Sequence, residues 1–188
     1  MCFAVSACAK QPGTGIVENE LGQIEEIAAR KYPDLPPDEA AARVAAERNN
    51  ARMESHSVPN QQILAAVGFS TFYRANSSAR ASYCTDVGVD ISPFITAFQQ
   101  GHGVELSTAD AIFRTSGTDF DHDWQSLRPS AEAWARNDMQ QIAAQRGTNA
   151  SGACSLFANE PAQVAKLLSY ADSKPEERAP LLSYKAAH

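Results

Sequence analysis

The chain has 188 residues, 44% of them hydrophobic and 20% charged, which is enough for a domain with a real core. Its formal net charge of −6 argues against a general nucleic-acid binder, which needs a basic face for phosphates. No apolar run reaches the roughly 18 residues of a membrane-spanning helix.

Phe3-Ala4-Val5-Ser6-Ala7-Cys8 opens the chain, followed by the loose polar stretch Ala9-Lys10-Gln11-Pro12-Gly13-Thr14-Gly15. Val5-Ser6-Ala7-Cys8 resembles the bacterial lipobox. The resemblance implies a signal peptide, diacylglycerol on the Cys8 thiol, and cleavage that makes Cys8 the new N-terminus. Small residues before the cysteine fit a peptidase cleft. Met1–Ala7 lacks a basic residue and is short for a signal peptide, so it is expected to be a truncated remnant of a leader that starts upstream. Residues 8–16 then read as a lipidated, flexible tether, and no acidic residue follows Cys8 closely to hold the protein at the inner membrane. By resemblance the expected location is the periplasmic face of the outer membrane.

Helical spacing recurs along the remainder, and alternating strand patterns do not. The first helix is expected over Val17–Lys31, with Leu21, Ile24, Ile27 and Ala28 on one face and Pro33 ending it. Asp38 is placed to cap an Ala-rich surface helix whose thin stripe is Ala41, Val44 and Ala45. Gln61 to about Tyr83 is the most apolar segment and reads as the central helix. Its stripe is Leu64, Val67, Gly68, Thr71, Phe72, Ala75 and Ala79, and Gly68 would admit another helix closely.

Asp90 is expected to cap a helix carrying Ile91, Phe94, Ile95 and Phe98, with Pro93 in its first turn and Gly101 at its end. Ser107 is expected to cap a short helix, and residues 115–123 to form a loop. A long amphipathic helix then begins between Asp123 and Ser130 and ends near Gly147, with Leu127, Ala131, Trp134 and Ile142 toward the core. Ser151 caps the helix of Cys154 and Phe157. Asn159 and Pro161 open another bearing Val164, Leu167, Leu168 and Ala171, and Leu181 and Leu182 mark a terminal helix. The sum is one all-α, bundle-like domain of about six to eight helices over residues 17–188.

Four cysteines occur, Cys2, Cys8, Cys84 and Cys154, with no CxxC pair and no zinc-site spacing. With Cys2 removed and Cys8 acylated, Cys84 and Cys154 remain, and an oxidising compartment would pair them.

Asp119, Asp121, His122 and Asp123 form the densest polar cluster. Alternate carboxylates can hold a hard cation, but an EF-hand loop starting here would need Gly and Glu where Trp124 and Ser130 stand, so no metal is assigned. His122 beside carboxylates is the one candidate general base. His56 and His102 fall at predicted helix ends, a structural position. GxSxG, HExxH, SxxK, P-loop and GxGxxG motifs are absent, and neither a cofactor nor a catalytic residue is assigned. Phe69, Tyr73, Arg74 and Arg80 lie partly off the central stripe and are the candidate binding anchors, because aromatic and Arg side chains dominate protein interfaces.

Small, acidic, lipid-tethered chains without catalytic motifs are similar in type to immunity proteins that neutralise secreted periplasmic toxins. The expected function is therefore a protein-binding module facing a periplasmic protein partner, and its acidic surface would suit a basic toxin through steering. The alternative is an envelope or cell-wall hydrolase using His122 and the neighbouring carboxylates.

Overall fold

A computed structural model describes residues 14–185, and the side chains of all of these but residues 14–22, 38 and 42. Cys2, Cys8 and the expected leader lie outside the described residues. The described residues are helices joined by short turns, with no strand among them. None of these helices is long and apolar enough to cross a membrane.

The chain divides between Ser55 and His56 into two compact units, where the sequence reads as one domain from residue 17. The first unit pairs α1 (Thr14–Lys31) with α2 (Pro37–Glu54). It buries a small cluster of its own, Ala28, Ala40 and Val44, backed by Ile24, Ile27, Tyr32 and Leu35. α1 starts inside the expected tether, and α2 starts at Pro37 rather than on an Asp38 cap. Proline suits that first position because its missing N–H would be unpaired there anyway. Glu47 ties the helices together, accepting from Lys31 Nζ at 2.5 Å and from the Tyr32 hydroxyl. Arg43 and Lys31 both lie over the Tyr32 ring, at 4.9 and 5.5 Å from its centroid.

The second unit is built around a composite helix. α3 (Val58–Arg74) runs through a π-helical turn at Ala75–Ala79 into α4 (Arg80–Asp86). From Gln61 to Ala81 only Ser78 is exposed. The wide π turn leaves backbone carbonyls short of N–H partners. Side chains supply them: Asn76 Nδ2 donates to Phe72 O at 2.9 Å and Ser77 Oγ to Tyr73 O at 2.7 Å.

Around this axis pack α5 (Ser92–Gly101), α6 (Gly103–Ser116), α7 (Phe120–Gln145), α8 (Ala150–Asn159), α9 (Pro161–Leu167), α10 (Tyr170–Ser173) and α11 (Pro175–Leu182). α3 contacts α6, α7 and α11, the π turn and α4 lie on α7, and α5 lies on α9. Apolar clusters form around the composite helix. One gathers Phe94, Phe98, Met139 and Phe157 around Cys84 and Cys154, and another gathers Phe120, Trp124, Ala131 and Ala135 against Ala75 and Ala79. Phe69, Ile112, Tyr170 and Leu181 are buried outside these two.

Several boundaries differ from expectation, each for a local reason. Ser107 lies inside α6 and bonds back to Val104 O, so it caps nothing. α7 begins at Phe120 and continues through Pro129, because Asp119 caps it and Phe120 and Trp124 bury on its first turns. Its inward stripe is Ala131, Ala135, Met139 and Ala143. Leu127 and Trp134, expected inside, stand 36% and 45% exposed. Asn149 rather than Ser151 caps α8, its side chain accepting from Gly152 N–H at 2.9 Å. Leu167 is exposed as well. Gly117 closes α6 in the left-handed region at φ 73°, where any side chain would be strained.

Cys84 and Cys154 form a disulfide that joins α4 to α8, with Cα atoms 5.6 Å apart and both residues fully buried. At Gly68 the close approach is made by a side chain: Glu177 Oε2 on α11 lies 2.4 Å from where a Cβ would sit. That carboxylate accepts from the Tyr170 hydroxyl at 3.0 Å. The Tyr170 N–H donates to His102 Nε2 at 3.2 Å, and His102 Nδ1 faces Phe98 O at 2.9 Å, so Nδ1 carries the ring hydrogen. Glu105, also buried, accepts from Arg178 Nε at 2.7 Å and ties α6 to α11.

Replacing Cys84 and Cys154 by alanine frees a span of 70 residues in the unfolded chain. The double variant is expected to lose about 4 kcal/mol in urea unfolding, and dithiol reduction of the wild type to lose a similar amount; a loss under about 1 kcal/mol would show that the crosslink does not stabilise the fold.

Burial, and then the Glu177 carboxylate, push the Tyr170 phenol above its usual range. The folded state therefore favours the protonated phenol. That contribution is complete below about pH 10, where the unfolded tyrosine is protonated too, and is lost as pH rises beyond it. Tyr170→Phe is expected to cost about 1–2 kcal/mol at neutral pH and to flatten the alkaline decline in stability. Urea midpoints measured from pH 8 to 11 check this, and parallel declines for the two proteins would refute it.

Candidate functional site

Three stretches that are distant in sequence converge on one cleft. α3 contributes Ser70, Tyr73 and Arg74; α6 contributes Leu106, Asp110, Phe113 and Arg114; the turn into α7 contributes Thr118, Asp119, Phe120 and Asp121. The cleft encloses about 380 Å³. Its position follows from the fold, since α3 packs on α6 and α7, and the turn around Gly117 brings the α7 N-terminus back beside α3.

The aromatic side is a short stack. Phe113 and Phe120 lie face to face, with centroids 5.3 Å apart and planes 5° from parallel. The Arg74 guanidinium sits over Phe120 at 4.9 Å and over Trp124 at 5.6 Å, and pairs with the Asp121 carboxylate. A planar guanidinium suits this combination of ring face and carboxylate. Asp119 is occupied in part: its Oδ1 accepts from the His122 N–H at 3.0 Å and caps α7.

Other groups keep their capacity. Among the described residues Ser70, Asp110 and Arg114 have no hydrogen-bond or ion-pair partner, and neither has the Tyr73 hydroxyl. Ser70 is only 8% exposed. Partial burial pushes the Tyr73 phenol above its usual range. A concave site with an aromatic wall and several unspent polar groups is a binding site in physical outline.

The four sequence-derived anchors separate here. Tyr73 and Arg74 line the cleft. Phe69 is fully buried, packed edge-on against Tyr170 at 5.1 Å, and offers no surface. Arg80 is 1% exposed and belongs to the core. Its NH1 lies 2.6 Å from Asp138 Oδ2, its Nε donates to Asn76 Oδ1 at 3.2 Å, and its guanidinium lies over Trp134 and Phe157 at 5.0 and 5.2 Å. His122 is exposed on the first turn of α7, outside the cleft lining. Among the described residues no three His, Cys, Asp or Glu side chains are grouped to hold a metal ion.

The sequence reading missed the α6 wall. Asp110 and Arg114 stand four residues apart on one face, a spacing visible in the sequence, but nothing local said that this face meets Tyr73. It missed Ser70 because a serine one turn from the apolar stripe carries no signal by itself. No family model, curated protein or solved structure matches the chain.

Asp119→Ala removes the α7 cap at the cleft edge and is expected to cost about 1 kcal/mol in urea unfolding. An unchanged midpoint would show that the cap contributes nothing.

Proposed function

We propose that the chain is a lipid-anchored envelope protein, tethered through Cys8 on the periplasmic face of the outer membrane, that binds another protein there. The kind of binder proposed is an immunity protein or inhibitor that neutralises a secreted toxin, with the cleft between α3, α6 and the start of α7 as its docking site. The observation that carries this reading is the set of unspent polar groups, Ser70, Tyr73, Asp110 and Arg114, beside an aromatic stack. Groups left without internal partners on a folded scaffold are available to a partner at little cost in reorganisation. The buried Cys84–Cys154 bridge supports an oxidising compartment. The net charge of −6 favours a basic partner through long-range steering.

The test combines chemistry and capture. Mass spectrometry of the chain isolated from cell envelopes is expected to find Cys8 acylated. Asp110→Arg combined with Thr118→Arg, both on the cleft wall, is expected to weaken retention of the partner from envelope extracts about tenfold or more, while His122→Ala leaves it unchanged. An unmodified Cys8 would remove the anchor from the proposal. Equal retention by the cleft variant would remove the cleft. Hydrolase activity lost in His122→Ala would favour the enzymatic alternative.

A further inference from the structure

The cleft already holds one guanidinium, and the way it does so describes the ligand that would fill the rest. Arg74 is bound by one carboxylate, Asp121, and two ring faces, Phe120 and Trp124. On the opposite wall the same chemistry is present without an occupant. Asp110 is an exposed carboxylate with no partner, and half-buried Phe113 extends the Phe120 stack beside it. Ser70 supplies the second observation. It is more than nine-tenths buried, its hydroxyl has no partner among the described residues, and it lines this cleft. No buried side-chain N or O atom among the described residues lacks a partner, so the Ser70 oxygen itself reaches the cleft, and a ligand that displaces water there must replace its hydrogen bond.

We infer that the cleft takes an arginine side chain presented by the protein partner, with Asp110 receiving the guanidinium, Phe113 lying against its plane, and Ser70 Oγ accepting one of its N–H groups. The inference rests on the docking reading above and gives that site its chemistry. The alternatives fit less well. An anionic side chain would meet the carboxylates of Asp110, Asp119 and Asp121 with only Arg114 uncommitted, since Arg74 is held by Asp121. A neutral apolar side chain would leave Ser70 and Asp110 unsatisfied in the interface, which costs affinity. Lysine would meet Asp110 but lacks the plane that lies on a ring and the fork that reaches two acceptors at once.

Asp110 and Arg114 also explain how the site stays open. They are one turn apart on α6, the spacing at which opposite charges often pair, yet they do not. The carboxylate is therefore free to receive a cation without first breaking an internal bond.

The probe is N-acetyl-arginine amide, titrated into the full chain with its disulfide intact and followed by NMR of the Phe113 and Tyr73 ring resonances. Saturable shifts in the millimolar range are expected, with much weaker response to the uncharged isostere N-acetyl-citrulline amide and to N-acetyl-aspartate amide. Asp110→Asn is expected to weaken binding about fivefold or more and Ser70→Ala about twofold to fivefold. Asp110 is exposed, so its variant tests the site without challenging the fold. No saturable shift across the millimolar range, an equal response to citrulline amide, or indifference to both substitutions overturns the inference. A partner captured through the cleft with unchanged affinity for Asp110→Asn also overturns it, while the docking reading stands. Arginine-amide binding by a chain that captures no partner supports the inference and removes that reading instead.

Discussion

Arg80 carries a full positive charge to a position 1% exposed, at the point where the π turn passes into α4. Burial alone lowers the pKa of a guanidinium, and Asp138, 2.6 Å away on α7, opposes that effect. The arrangement is tolerable only because the charge is met from several sides: Asp138 by charge, Asn76 by hydrogen bond, and Trp134 and Phe157 by their ring faces. Removing one partner of such a pair costs about 3–5 kcal/mol, since the other charge is left stranded. Asp138 and Trp134 come from α7, Phe157 from α8, and Asn76 from the π turn, so one side chain sets the register of three elements.

That register places the rest. With α4 fixed on α7, the disulfide at Cys84 reaches α8, and the aromatic cluster of Phe94, Phe98 and Phe157 closes around it. On the other side of the composite helix, α3 must lie against α6 and α11. The Glu105–Arg178 pair and the chain from His102 through Tyr170 to Glu177 hold those contacts with directional bonds. Polar groups inside a core specify geometry where apolar packing alone would allow sliding. The cleft is the outer edge of this framework, where α3 emerges from the core between α6 and the start of α7.

Much of the fold was legible in the sequence because helices declare themselves by period. The Phe94–Phe98 face, the extended helix ending near Gly147, and the pairing of Cys84 with Cys154 all follow from spacing or from simple chemistry. What stayed illegible was a rotation. On α7, Leu127 and Trp134 outrank alanine in hydrophobicity, so a stripe through them together with Ala131 and Ile142 looks right. The structure buries Ala131 as expected and packs Ile142 partly against the core, but the inward stripe runs on through Ala135, Met139 and Ala143 and leaves Leu127 and Trp134 toward solvent. Arg80 itself reads as a surface residue by type, and only the three-dimensional placement of Asp138 reverses that.

The same limit governs the cleft. Tyr73 and Arg74 stood out because they depart from the stripe, and the Asp119–Asp123 stretch stood out by density, but the sequence offered no reason to join them. Asp119 caps α7, Gly117 turns the chain back, and Arg74 bridges the space by laying its guanidinium on Phe120 and its charge on Asp121. A surface arginine normally keeps its rotamer freedom, at a cost of about 2 kcal/mol if it is ordered. Here ring faces and a carboxylate together offset that cost and hold Arg74 against one wall. The consequence is spatial: Arg74 is committed to the α7 side, while on the α6 side Asp110 and Arg114 stay unpaired. The Arg74–Asp121 pair thus keeps Arg74 from competing for Asp110, and the carboxylate on the α6 wall stays available to a cation.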